Sequence, residues 1–282
     1  NSVEQPRNFS LGKLKAKSLF EDCYGNVHIL TKDRAYQIWI DDELSFISNV
    51  DLEMFNEILA PCIASIDSNF VISSYSNHQK KYSLAIKKNQ EEQFTPFFNS
   101  WDHKEEVAAK ALYWEIVALY MSSVDTVSNI IKNKMWDGKN MRELAANYEL
   151  ILRIGFYESA IGKEIAVQSF QVNDHILAFD LCFDSLHIFN KNGNQLLQTN
   201  LERKAKSGER TVVMDKMRNN FYLLHFYKGI YSVSQINLTN GQLEDFVQLN
   251  DIPFAENIQI FNGSIYYLKS NNGFRKLYRK KS

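Results

Sequence analysis

Residues 165–199 read IAVQSFQVNDHILAFDLCFDSLHIFNKNGNQLLQT, and the punctuation of this stretch decides the fold. It divides into Ile165–Gln171, His175–Phe179, Leu186–Phe189 and Gln195–Thr199, short apolar or aromatic runs separated by Asn, Asp and Gly. Runs of this length between turn residues are the signature of strands. Asn192-Gly193 supplies the positive φ that a tight hairpin needs. Working outward, the same grammar recurs, with its second strand at Val27–Thr31, Phe70–Ser74, Phe221–His225 and Ser264–Leu268. The five second strands begin at 27, 70, 175, 221 and 264, at intervals of 43, 105, 46 and 43 residues. Blades of a β-propeller, four strands each, repeat every ~40–50 residues. The longest interval is one blade plus an insertion of about 60 residues on that period. The expected fold is therefore all-β, a single β-propeller domain over residues 1–282 with five blades and a helical insertion at 100–148.

The remaining units follow the same pattern from the inner strand outward. The first is Lys15–Phe20, Val27–Thr31, Tyr36–Ile40 and Leu44–Ser48; the second is Cys62–Ile66, Phe70–Ser74, Tyr82–Ile86 and Glu91–Phe94. The fourth is Thr211–Met214, Phe221–His225, Tyr231–Asn237 and Leu243–Leu249, turned at its end by Asn240-Gly241. The fifth, Asn257–Phe261, Ser264–Leu268 and Lys276–Lys280, turns at Asn262-Gly263 and ends one strand short. Gln5–Leu11 is expected to supply its missing outer strand, since an unpaired edge exposes backbone donors and acceptors. A short helix is predicted over Asp51–Ala60, capped by Asp51 and stopped by Pro61. Three helices are predicted between Trp101 and Tyr148: one opened by the Asp102/Glu105 capping-box spacing, one over Val124–Trp136 and one from Asn140. The run at Glu149–Tyr157 is the alternative reading: as a strand it would raise the count to six blades.

Composition narrows the function. At 282 residues and 45% hydrophobic content the chain can bury a large core, and 19 Phe and 14 Tyr against 4 Pro suit strands packed face to face. The 32 Lys and Arg nearly cancel the 33 Asp and Glu, so no field is expected that would gather nucleic acid or an anionic membrane. No apolar run reaches the length of a membrane span and no signal peptide is read. The start at Asn1-Ser2-Val3, without Met, is read as that of a trimmed or processed chain. Cys23, Cys62 and Cys182 have no CxxC spacing, and the six histidines no HExxH pattern, so no metal or other cofactor is expected. Phosphate loops and nucleophile elbows are likewise missing from the sequence. The basic end, Arg275 to Lys281, reads as charge that protects an edge strand.

Chemistry in such a fold gathers on loops held by a rigid frame. The connections between the second and third strands of each blade share a face with the links between blades, where both helical segments lie. These B–C loops bring Arg34, His78, Asp180, Asp184, Tyr227 and Arg275 toward one mouth, on topology alone. The pair Asp180 and Asp184 admits a glycosidase reading, one carboxyl as acid and the other as nucleophile or base. Asp22, Asp67 and Asp215 end inner strands at the opposite face, where Asp commonly bonds its own turn.

The stretch Phe20-Glu21-Asp22-Cys23-Tyr24-Gly25-Asn26-Val27-His28, with Tyr36-Gln37 and Ala60-Pro61-Cys62 after it, resembles secreted Bacteroidetes propellers described as six-bladed or NHL-like, some with an N-terminal carboxypeptidase-regulatory-like domain. The likeness continues through Phe183–Gly193 and Pro253–Ile260. It implies an exported, cell-envelope protein and six blades. It also implies a disulfide between Cys23 and Cys62, both of which fall in the shared motifs, in an oxidising compartment. It carries no catalytic residue. The function expected is a non-catalytic module that binds protein or glycan on its helix-bearing face; the alternatives are a polysaccharide hydrolase or lyase, and a structural module of a longer exported chain. Trp101, Trp114 and Trp136 are the side chains that would plug the mouth.

Overall fold

The structure is a computed structural model that describes residues 11, 13–41, 43–76, 80–88, 91–108, 110–111, 114–115, 166–203, 208–249, 255–271 and 274–281. Its strands form five antiparallel sheets in chain order, the arrangement of a five-bladed β-propeller. Blade 1 holds β1 (Ser18–Glu21), β2 (Val27–Leu30), β3 (Arg34–Ile40) and β4 (Leu44–Asp51). A short helix, α1 (Leu52–Ile58), leads to blade 2: β5 (Cys62–Ile66), β6 (Asn69–Ser76), β7 (Lys81–Lys87) and β8 (Thr95–Trp101). Blade 3 is β9 (Val167–Val172), β10 (His175–Asp180), β11 (Ser185–Asn190) and β12 (Gln195–Asn200). Blade 4 is β13 (Glu209–Asp215), β14 (Asn220–Tyr227), β15 (Ile230–Ile236) and β16 (Leu243–Gln248). Blade 5 has β17 (Glu256–Phe261), β18 (Ser264–Asn271) and β19 (Phe274–Lys281).

The chain separates into two compact units. One comprises Asn1–Ser74, Leu84–Phe98 and Gln168–Ser282; the other comprises Tyr75–Ser83 and Asn99–Val167. In the first, blade 4 offers one apolar face to blade 3 and the other to blade 5. Phe221 and Leu223 of β14 pack with Leu177 and Phe179 of β10, while Tyr222 and Leu224, one residue out of phase, pack with Ile258, Ile260 and Ile265 of blade 5. The period of two along β14 thus feeds two cores. Burial of each such side chain stabilises the fold by roughly 1.5–3 kcal/mol.

Polar fasteners supplement this packing, and most come from the region of the A–B turns. Cys23, in the first turn of blade 1, is joined by a disulfide to Cys62 of β5, with Cα atoms 5.6 Å apart. Asn69 Nδ2 donates to the Lys191 carbonyl at 3.2 Å, and Lys191 pairs with Asp67, tying blade 2 to blade 3. Gln168 of β9 receives the Val212 N–H of β13 and donates to its carbonyl at 3.4 Å. Asp215 accepts N–H bonds from Asn262 at 3.0 Å and Gly263 at 2.7 Å, tying blade 4 to blade 5. Lys216 and Glu21 pair between blades 4 and 1, which are not consecutive in the chain. Inner turns from separate blades therefore meet, as radial stacking requires.

In the second unit Asp102 caps the helix as the sequence predicts, its Oδ1 accepting the Glu105 N–H at 3.1 Å, and residues 103–108 are helical. Glu106 there is buried and accepts from Trp101 Nε1 at 2.9 Å.

Several expectations need correction. The outer strand of blade 2 is Thr95–Trp101, not Glu91–Phe94. Pro96, which argues against a central strand, is tolerated because β8 is the outermost strand of its sheet. Asp51 occupies the cap position of α1 without a side-chain cap bond; its carboxylate lies 3.7 Å from Arg34, and the helix ends before Pro61, at Ile58. Among the described residues the helices are α1 and short stretches within 103–115, so a three-helix insert is not what they contain. The predicted helices at 124–136 and from 140, the sixth-blade segment 149–157, and residues 5–10 of the closing strand lie outside the described residues. Those residues contain five sheets, the last with three strands.

Candidate functional site

Blade 4 presents to blade 3 a face that changes character along its length. In the pairing of β13, β14 and β15 with β16, Met214, Phe221, Ile236 and Leu243 lie level with one another and form an apolar row. Nearer the B–C end, Arg210, His225, Ser232 and Gln248 lie level and form a polar one. Side chains directly opposite on one face of a sheet lie close enough to interact, so this row acts as a single surface. Between the two rows lie Val212, Leu223 and Ser234.

A bulge extends this surface to the outer strand. The register of β15 with β16 slips between Val233 and Gln235, and Asp245 has φ 49°. The extra residue reverses the alternation, so that Phe246 and Gln248 join Leu243 on the groove side. Strict alternation from Leu243 sends Phe246 to the other face. The bulge is therefore what brings this exposed ring to the site.

The result is a groove of about 510 Å³ between blades 3 and 4, bounded by Tyr227, Lys228 and Ile230 at the β14–β15 hairpin and by Glu202 and Arg203 on the blade 3 side. Lys228 and Gly229 have φ of 49° and 83°, the two positive values of a type I′ turn. Lys228 Nζ lies 5.2 Å from the centre of the Tyr227 ring, and that ring stacks on His225 at 6.3 Å. Tyr227 and Phe246 are 43% and 54% exposed, so both rings face solvent at the rim. Gly208 approaches from the link between the blades: a Cβ there would fall 2.4 Å from His225 Nε2.

The groove's charges are organised by one carboxylate. Asp184, at φ 50°, binds Arg210 through Oδ1 and receives Arg203 Nη1 on Oδ2 at 3.2 Å. Arg210 donates also to the Leu181 carbonyl. The Leu201 N–H donates to the Asp184 carbonyl at 2.7 Å, so the loop and the interblade link are one construction. Glu202 accepts the Leu243 N–H at 2.8 Å, and its own N–H donates to the Gly241 carbonyl at 2.9 Å.

Two residues singled out by topology, Asp184 and Tyr227, meet at this groove. Asp180 does not: it is buried, and its Oδ1 accepts the N–H groups of Cys182 at 3.0 Å and Phe183 at 3.1 Å, shaping the loop. Arg34 sits on blade 1 with Asn49 and Asp51. Arg275 lies on β19 opposite Ser270, on blade 5. His78 lies outside the described residues. Arg203 and Arg210 escaped the sequence reading because it drew candidates from the B–C loops and not from the interblade link, which holds Arg203, or from the start of β13, which holds Arg210. Asp22, on the opposite face, accepts from its own turn, Tyr24 N and Asn26 N at 2.9 Å each, and contacts His28 Nε2 at 2.8 Å. Asp215 likewise accepts from Met217 N at 3.2 Å, but reaches across to the next blade as well.

No family model matches the chain, and no curated protein matches it. Among solved structures it is similar to a protein of unknown function from Bacteroides caccae, at 12% identity, covering 90% of this chain and 70% of that one with TM-score 0.34. It is also similar to a luciferin-regenerating enzyme, at 9% identity, 92% and 74% coverage and TM-score 0.42. A third is Hsv2 of Kluyvelomyces marxianus, at 8% identity, 96% and 74% coverage and TM-score 0.36. The assignment of the fold rests on the sheet order itself. Among the described residues no cluster of three or more His, Cys, Asp or Glu side chains is placed to hold a metal, and no helix is long and apolar enough to cross a membrane.

Proposed function

We propose that the chain is a non-catalytic binding module of an exported, cell-envelope protein, related to the secreted six-bladed or NHL-like Bacteroidetes propellers, that takes a protein or glycan on its B–C face. The observation that carries this reading is the groove on blade 4, where a level row of polar side chains meets two solvent-facing rings. The two carboxylates that the sequence offered for catalysis are engaged in structural bonds: Asp180, away from the groove, holds its own loop, and Asp184 serves two guanidinium groups. A glycosidase needs one carboxyl group to deliver a proton and another to act on the sugar or on water. Side chains committed in this way suit recognition better than turnover. The disulfide between Cys23 and Cys62 favours an oxidising compartment, since such bonds persist outside the reducing cytosol.

A glycan array and a panel of purified envelope proteins, presented to the whole chain, test the assignment. A ligand that is bound unchanged, with competition lost on Phe246→Ala, is the expected result. Release of shortened sugars that stops on Asp184→Asn would replace it with the hydrolase reading, and absence of any ligand would remove it.

A further inference from the structure

The groove between blades 3 and 4 has a composition that selects among ligands, and we propose that it binds an acidic glycan, a short run of sugars carrying carboxylates. The inference rests on the binding role proposed above and names the chemical class of its ligand. Three features point the same way. The first is charge. Arg203, Arg210 and Lys228 surround the groove, against the carboxylates of Asp184 and Glu202. Both carboxylates are committed, one shared between two guanidinium groups and the other to a backbone N–H. The three cations outnumber the two carboxylates by one, whereas the chain as a whole carries a net charge of −1. A guanidinium group matches the flat two-oxygen edge of a carboxylate.

The second feature is the rim. Tyr227 and Phe246 rise from the hairpin and from the bulged outer strand, which leaves two ring surfaces exposed at the edges of one depression. The C–H faces of pyranose rings are apolar and lie well on such surfaces, while an extended peptide would be held chiefly by backbone pairing to a sheet edge. The third is the floor, where Ser232, Ser234 and Gln248 offer hydroxyl and amide groups that both donate and accept. Sugar hydroxyls require that versatility. At about 510 Å³ the groove falls within the ~300–1,000 Å³ typical of small-molecule sites, enough for a few sugar rings.

Titration calorimetry of the whole chain with a tetramer of galacturonic acid, beside the neutral cellotetraose and a short polyglutamate, tests the proposal. The acidic sugar should bind at least about tenfold more tightly than the neutral one and weaken as NaCl is raised, as a charge-steered contact must. Arg203→Gln and Phe246→Ala should each weaken it by roughly tenfold, the size expected for loss of one charged or stacked contact. Should either variant lower the melting temperature, Lys228→Asn gives the same readout from a turn position whose positive φ suits Asn. Equal binding of acidic and neutral tetramers, tighter binding of polyglutamate, or retention of affinity in all three variants would each overturn the inference. A neutral glycan or a peptide bound on this face would leave the broader binding role standing, whereas an array blank for every ligand would sink both.

Discussion

Asp215 shows how much structure can hang on one side chain. It has no exposed surface, and its two oxygens accept the N–H groups of Met217, Asn262 and Gly263, bridging two blades from within. Asp215→Ala leaves three amides to find other partners, and should cost about 2–4 kcal/mol of unfolding free energy in urea titrations, with Asp215→Asn intermediate. Asp22 makes a prediction of another kind. Burial alone would raise its carboxyl pKa, but the bonds from His28, Asn26 and Tyr24 together outweigh burial and hold it below the ordinary value. A carboxyl with a lowered folded pKa stabilises the protein above its unfolded pKa, about 3.9, and that contribution disappears as pH falls through the folded value. Urea midpoints measured from about pH 6 downward should therefore fall in acid, and Asp22→Asn should lose stability at neutral pH while flattening that acid limb. The sequence marked both residues as turn formers. It contained no sign that Asp215 also serves the following blade, because that contact spans 47 to 48 residues.

At the scale of elements, the hairpins were the most legible part. Asn262 and Gly263 have φ of 47° and 68°, the turn that their identities demand between β17 and β18. Positive φ has different consequences at different glycines. At Gly241 a Cβ would fall 2.0 Å from the Asn200 carbonyl, where blade 4 presses against the end of blade 3; at Gly25 it would meet nothing within 4 Å. Gly25→Ala should therefore cost about 1 kcal/mol, the penalty for a left-handed alanine. Gly241→Ala adds a backbone collision and should cost about 2–4 kcal/mol, with thermal unfolding of the pair as the comparison. Where reading by element failed, the cause was a feature that local pattern does not encode. Pro96 is acceptable only because β8 has no outer neighbour in its sheet, and Phe246 reaches the groove only because the strand bulges at Asp245. Neither an edge position nor a bulge is written in the alternation of polar and apolar residues.

On the scale of the whole molecule, the repeat was legible because it needs no long-range information: three of the four intervals between second strands are 43, 46 and 43 residues, and the fourth is one such period plus an insertion, which is enough to fix the class of fold. The site was only half legible. Topology placed Asp184 and Tyr227 at one end of neighbouring blades, yet the polar row beside them depends on the register of four strands, and register follows from packing between blades. The fasteners between blades have a consequence for how such a chain can grow. In blades 1, 2 and 4 the groups that grip the following blade come from the first turn or the residues flanking it, and in blade 3 they come from the first strand. Each of these four repeats thus carries its own hook. A duplicated segment would arrive already equipped to hold its successor, so members of such a lineage can differ in the number of repeats without new joints having to be invented.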